Sequence, residues 1–420
     1  MADVYRSGQG APSHEFETRL SDRMADRFLK DILYPAFVNN EEKGKMVNGK
    51  TVQRVSADEN AIVVEDYISG KLIEPKSASE TIESLNIVQK KIAHTYVDDF
   101  DAIQSNYNLQ NEYGDILGKK LAHRVDRDIL AQVVNARTTL DAASFGGNAG
   151  DGIDLTSSNV MKVLNRMTTK LSNLEVAISG SIDSRMDSRF GLKAGFVAAS
   201  PNFVEAITEH FSGIETPEGD KNRKANHVAS LIQGYELHQT TSSLWTGVLG
   251  MSGQALADET ITVNGVTFTF KAALTPAAGE VVIGGDAAAT QANFIAALNG
   301  AAGEGVTYSA VSTADRATLD GVSGAADGTN VAVTALGANY VEVSTTMSEA
   351  ANVWSKEKQH LLAGKRGCVD MVSQKEPMLE VAKEARSYGA YLKSACLYGR
   401  GMFAESQRRA VEILINTVGF

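Results

Sequence analysis

The chain has 420 residues, 43% of them hydrophobic and 22% charged, with a formal net charge of −11. This composition can bury cores in about two or three domains and excludes a chain disordered throughout. The acidity argues against a general nucleic-acid binder, whose affinity rests on Lys and Arg at phosphates, and Cys368 and Cys396 alone make no disulfide framework.

The start, Met1 to Gly8, lacks the apolar run of a signal peptide, and no stretch reaches the roughly 18 apolar residues of a membrane helix. The expectation is a soluble chain made in a reducing compartment.

Residues 1–15 are polar and read as an arm. Phe16, Leu20, Met24, Phe28 and Ile32 then recur every fourth residue between charged ones, which predicts an amphipathic helix ending before Pro35. From spacing alone, such a stripe packs on its own domain; the other option is an arm laid on a neighbour. Thr51 to Pro75 is extended and mostly polar, with too few apolar residues for a core of its own. Val63, Tyr67 and Ile68 there need another surface to cover them. Leu85 to Val97 reads as a strand.

Leu109, Tyr113, Leu117, Leu121, Val125, Ile129 and Val133 mark a helical stripe that persists to about Asn135. Residues 155–250 alternate between the two patterns. A helix is expected along Val160–Leu171, strands at Phe196–Ser200 and Tyr235–His238, and a helix opening at Pro201.

Composition then shifts. From Ser252 to Val343 there is no Trp, Met, His or Cys, and Lys271 and Arg316 stand against nine acidic residues. Alternation on both sides of Asn264-Gly265 predicts a hairpin. Asp286 can cap a helix that closes at Gly300. Strands are expected at 306–312, 317–319 and 331–336, with turns at Asp320-Gly321 and Asp327-Gly328. This reads as a β-rich inserted domain with its own core, removable without loss of assembly. After it, Cys368–Val372 reads as a strand, Met378–Arg386 as a helix, and Tyr391–Phe403 and Val411–Ile415 as strands.

Chemical motifs are weak. Gly44 to Thr51 has the spelling of a phosphate-binding loop, but Asn39–Lys43 before it is no buried strand and Thr51–Val55 after it prefers a strand to the required helix. The seven histidines show no metal-binding spacing. There is no Gly-x-Ser-x-Gly elbow, the two cysteines read as core residues, and Asp98, Asp99 and Asp101 read as a solvated helix start. Catalytic residues, metal sites and cofactors are therefore expected to be none.

One resemblance organises these parts. Gly49-Lys50-Thr51-Val52-Gln53-Arg54-Val55, the segment from Thr81 to Asp101, Tyr107–Tyr113 leading into Leu117–Ala122 and Val125–Leu130, and the closing Tyr391–Lys393 and Tyr398–Gly401 resemble the Hong Kong 97-type major capsid proteins of tailed phages, and are similar to those of short-tailed coliphages. The resemblance implies an α+β fold with an N-terminal arm (1–45) and an extended E-loop (46–84). It further implies a peripheral domain with a spine helix (85–140 and 391–420), an axial domain (141–251 and 344–390), and the insertion (252–343). It implies a non-enzymatic protein of the virion capsid, assembled in the bacterial host cytoplasm. Its partners would be itself, in hexamers and pentamers, with a scaffolding protein, a portal and decoration proteins, around double-stranded DNA that it does not read. Phe16, Leu20, Met24, Phe28, Ile32, Val63, Tyr67 and Ile68 would then meet neighbours, and Leu117, Leu121, Val125 and Ile129 would form the spine core. The Lys–Asn cross-link of the family's founding member has candidate lysines here in Lys71 and Lys76 but no identifiable partner Asn or catalytic carboxylate, so contacts without a covalent bond are expected. An encapsulin-like compartment, a surface adhesin suggested by the insertion, and a phosphate-loop nucleotidase are the alternatives.

Overall fold

The computed structural model describes residues 24–25, 27–29, 32–39, 49–57, 66, 80–98, 109–174, 195–212, 231–232, 234–336, 342–348, 352, 354, 357–383 and 389–416. In chain order, strands β1 (Val38–Asn39), β2 (Thr51–Ala57), β3 (Glu80–Asn86) and β4 (Gln89–Asp98) lead to helix α1 (Leu109–Leu130), which runs on as a 3₁₀ segment to Asn135. β5 (Thr138–Leu140), α2 (Val160–Asn173), β6 (Gly195–Ala199), α3 (Pro201–Ser212), β7 (Leu231–Ile232), β8 (Tyr235–Gln239) and β9 (Leu244–Gly250) follow. Next come β10 (Thr260–Val263), β11 (Val266–Lys271), β12 (Glu280–Val282), α4 (Ala287–Asn299), α5 (Thr313–Thr318), β13 (Val322–Asp327), β14 (Asn330–Leu336) and β15 (Val343–Thr345). β16 (Lys358–Lys365), β17 (Val369–Lys383), β18 (Gly389–Gly401), α6 (Ala404–Arg409) and β19 (Ala410–Asn416) close the chain. The architecture is mixed α+β.

Two compact units form: Met1–Val125 with Gly367–Ser406, and Asp126–Arg366 with Gln407–Phe420. In the first, a sheet ordered β1-β17-β18-β4 is built around the long antiparallel pair β17–β18. Met24, Val97, Leu117, Leu379 and Leu392 form the core on one of its faces. β2 and β3 make a separate antiparallel ribbon, from Thr51 opposite Asn86 to Ala57 opposite Glu80.

In the second unit, strands run β13-β14-β9-β16-β6-β8-β7, with β19 beside β16 and β5 beside β19. The apolar stripe of α2 (Val160, Val163, Leu164, Met167, Leu171) is wholly buried on this sheet, as its helical spacing predicts. A smaller sheet, β12-β11-β10-β15, packs with α4 around Phe294, whose ring meets Phe268 edge-on at 5.5 Å. The hairpin at Asn264-Gly265 forms with Val263 opposite Val266. The Asp286 side chain accepts the Ala289 N–H at 2.7 Å, and Gly300 closes α4 in the left-handed region.

The structure corrects several expectations. Met378–Lys383 belongs to strand β17, not to a helix: Leu379 is buried while its neighbour Met378 is 62% exposed, a period of two. Pro377, with no N–H to give the ladder, sits where the β17–β18 register shifts. Residues 313–318 are helical, capped by the Ser312 hydroxyl, where a strand was expected at 317–319. Residues 306–312 make only bridges through Tyr308.

Strand partners also reassign the chain. β17 pairs with β18 in the first unit, although residues 344–390 were expected with the axial part. β19 pairs with β16 in the second unit, although it was expected with the peripheral part. Nor does 252–343 close its own core. β14 pairs along its whole length with β9, and Trp245, Leu249 and Met251 join Phe268, Phe294 and Val333 in one cluster.

Candidate functional site

Directly opposed residues of paired strands share a face. Across β17, β18 and β4, Met378, Ala395 and Ile92 stand in one row, Glu380, Lys393 and His94 in the next, and Ala382, Tyr391 and Tyr96 in a third. Their inward neighbours Leu379, Leu392 and Val97 are buried, so these rows face away from the core. Ile92 is nonetheless 68% exposed, and the Tyr96 and Tyr391 rings lie 4.9 Å apart. Glu380 joins Lys393 at 3.2 Å and Lys375 at 3.3 Å, and the two ammonium groups hold its carboxyl below the ordinary range. The face is thus apolar bands separated by a charged one. Sequence reasoning found the β4 strand but not this face. Its signal, alternation of Ile92, His94 and Tyr96 with Ala93, Thr95 and Val97, does not say which side is covered.

The ribbon is the second feature. Val52, Leu85 and Ile87 pack with Val372 and Phe403, which fixes its root. On the opposite face Val55 and Ile82 are direct partners, and both are exposed. Arg54 pairs with Glu405 at 2.5 Å and lies over the Phe403 ring, 5.7 Å from its centroid. Glu83, directly across the ribbon from Arg54, accepts the Ala404 N–H at 2.8 Å. Asp370 accepts the Phe403 N–H at 3.0 Å and an N–H of Asn39 at 3.2 Å; burial pushes its carboxyl above the ordinary range.

Of the expected contact residues, Phe16, Leu20, Val63, Tyr67 and Ile68 lie outside the described residues. Met24 and Phe28 are buried inside the chain's own unit, which corrects their assignment to a neighbour. The packing explains it: a Cβ on Gly118 of α1 would come within 2.7 Å of the Met24 carbonyl oxygen, so the glycine lets this helical turn lie directly on α1. Ile32 is half-buried. Leu117, Leu121, Val125 and Ile129 are all buried. Tyr113, read as part of the same stripe, is 36% exposed.

One polar arrangement in the second unit has the order of a hydrolytic relay. Thr246 Oγ1 lies 2.7 Å from His360 Nε2, His360 Nδ1 lies 2.6 Å from Glu412, and Thr139 donates to the same carboxylate at 2.8 Å. A hydrolase also needs N–H donors aimed at a developing oxyanion. Here the side chains stand on β9, β16, β19 and β5, whose backbones are paired in one sheet. The arrangement is a cross-strand brace. Among the described residues, no group of three or more His, Cys, Asp or Glu could hold a metal ion, and no helix is long and apolar enough to cross a membrane.

No protein-family model matches the chain, and no curated protein matches its sequence. Solved structures do match. A chain from Mycobacterium phage Che8 aligns with 91% of this chain and 90% of its own, at 12% identity and a TM-score of 0.50. This chain therefore has a fold found in a bacteriophage structure. The capsid of the cyanophage P-SCSP1u aligns over 87% and 83% of the two chains, at 12% identity and a TM-score of 0.45. A virus-like particle from Pyrococcus furiosus aligns over 95% and 99%, at 7% identity and a TM-score of 0.40.

Proposed function

We propose that this chain is the major capsid protein of a tailed bacteriophage, of the Hong Kong 97 type. It assembles with copies of itself into hexamers and pentamers of an icosahedral shell around double-stranded DNA. The observation that carries this reading is a phage fold over nine-tenths of the chain, joined to the sequence order of arm, ribbon, long helix and closing strands. The exposed rows Met378–Ala395–Ile92 and Tyr391–Tyr96, with the ribbon pair Val55–Ile82, are what an unassembled shell subunit would leave for its neighbours. Scaffolding protein, portal and decoration proteins are the further partners. The acidic segment 252–343 is read as facing outward, since inside it would set carboxylates against packaged phosphates.

Expression with the cognate scaffolding protein, followed by negative-stain imaging, tests the reading. Closed shells are expected. A stable monomer under every assembly condition would overturn it, and shells purified with an enzyme cargo instead of DNA would favour a protein compartment.

A further inference from the structure

The ribbon and the turn at Phe403–Glu405 share more contacts than packing requires. Arg54 and Glu83 are opposite each other on β2 and β3. Each reaches the same turn, one through the Glu405 carboxylate and the other through the Ala404 N–H. The turn is itself held from the sheet side, where Asp370 of β17 accepts the Phe403 N–H. The apolar root (Val52, Leu85, Ile87, Val372, Phe403) resists separation, and Gln374 donates to the Gly49 carbonyl at 3.3 Å at its foot, but apolar contact is non-directional. The two charged contacts add direction, because each has a fixed donor and acceptor.

The geometry points to a polar latch: Arg54 and Glu83 clamp the Phe403–Glu405 turn and fix the angle at which β2 and β3 leave the rest of their unit. Arg54 and Glu405 are each about one-third exposed or less, with side-chain values of 27% and 31%, so the pair is reachable by salt. The latch rests on contacts within one chain and stands whether or not the shell reading does.

Hydrogen exchange on the unassembled full-length chain tests it, with Arg54→Met, Glu405→Gln and the double variant compared in low and high salt. Ribbon amides in 51–57 and 80–86 should exchange about tenfold faster in either single variant, as loss of one charge-assisted contact implies. The double variant should be no faster than the singles, because they remove the same contact. High salt should speed these amides in the wild type and leave the variants nearly unchanged. Amides of β16 and β19 serve as the internal reference. Unchanged ribbon exchange in all variants overturns the latch. So does equal acceleration across β4, β17 and β18, since the contacts would then support the whole sheet and not the ribbon's angle. Imaging of shells from the same variants reads the assembly question separately.

Discussion

The two units treat their apolar residues differently. The second gathers them into two large cores, one beneath α2 and α3 and one around Phe294. In the first, Met24, Val97, Leu117, Leu379 and Leu392 form one cluster and Val52, Leu85, Ile87, Val372 and Phe403 another, and Phe37, Leu121, Met371 and Tyr398 are buried as well. Among the described residues, the large apolar side chains left exposed fall in the first unit, apart from Val134, Leu256 and Val306. A chain that can bury Phe268, Phe270 and Phe294 completely has no general difficulty covering apolar surface. Under the shell reading proposed above, the exposed residues of the first unit are the ones that neighbours would cover.

The harshest way to break this contrast is to cut into the second unit. Deleting 252–343 strips β14 from β9 along seven paired positions and uncovers Trp245 and Leu249. A long edge strand beside exposed apolar side chains invites aggregation. The deleted chain should be found largely in the insoluble fraction, where the composition shift alone suggested a removable module. A soluble, monodisperse product would show that β9 does not need its partner.

Next in size is Leu121→Ala in α1, at a site 3% exposed. It should cost about 2–5 kcal/mol, read as a lower midpoint in thermal or denaturant unfolding. This position was legible from sequence because helical spacing points Leu117, Leu121, Val125 and Ile129 to one side. So were the Asn264-Gly265 hairpin and the Asp286 cap, which are local events decided by a few neighbouring residues. What sequence did not yield was long-range. Met378–Lys383 carries charges at helix-like intervals, and only its pairing with Ala390–Ala395 makes it a strand. The lone Arg316 gave no hint that it donates to the carbonyls of Ala297 and Leu298 at the end of α4. The Met24–Gly118 contact joins segments far apart in sequence, so the arm's stripe could be seen but not what covered it.

A smaller effect concerns the stem of the insertion. Glu259 accepts the N–H of Leu256 at 2.7 Å and both the N–H and the hydroxyl of Ser348, tying the entering chain to the leaving one. Burial pushes its carboxyl up, but the three hydrogen bonds prevail and hold it below the ordinary value of 4.5. A carboxyl with a depressed folded pKa stabilises the fold above its unfolded value, and that gain is lost as pH falls through the folded one. The wild-type melting point should therefore exceed that of Glu259→Gln at pH 7, with the gap narrowing below pH 4.5. A gap that stays constant down to pH 3 would mean the carboxylate's charge contributes nothing to the stem.

The smallest effect on stability is the one that sharpens the contrast most. Ile92 and Met378 flank Ala395 in one row of the exposed sheet face, and each leaves most of its side chain in water. Threonine at both positions keeps a residue suited to strands while removing the apolar surface. Because little is buried there, stability should change by no more than about 0.5 kcal/mol. If the row is a contact between copies, the same double variant should lose shells in sedimentation and imaging while its subunit melts as the wild type does. Loss of several kcal/mol would instead place these side chains in the subunit's own packing. Normal shells would mean the exposed row is not where neighbours meet. Only intact folding together with failed assembly fits a row that neighbouring copies cover, since any defect internal to the subunit would register first in its melting.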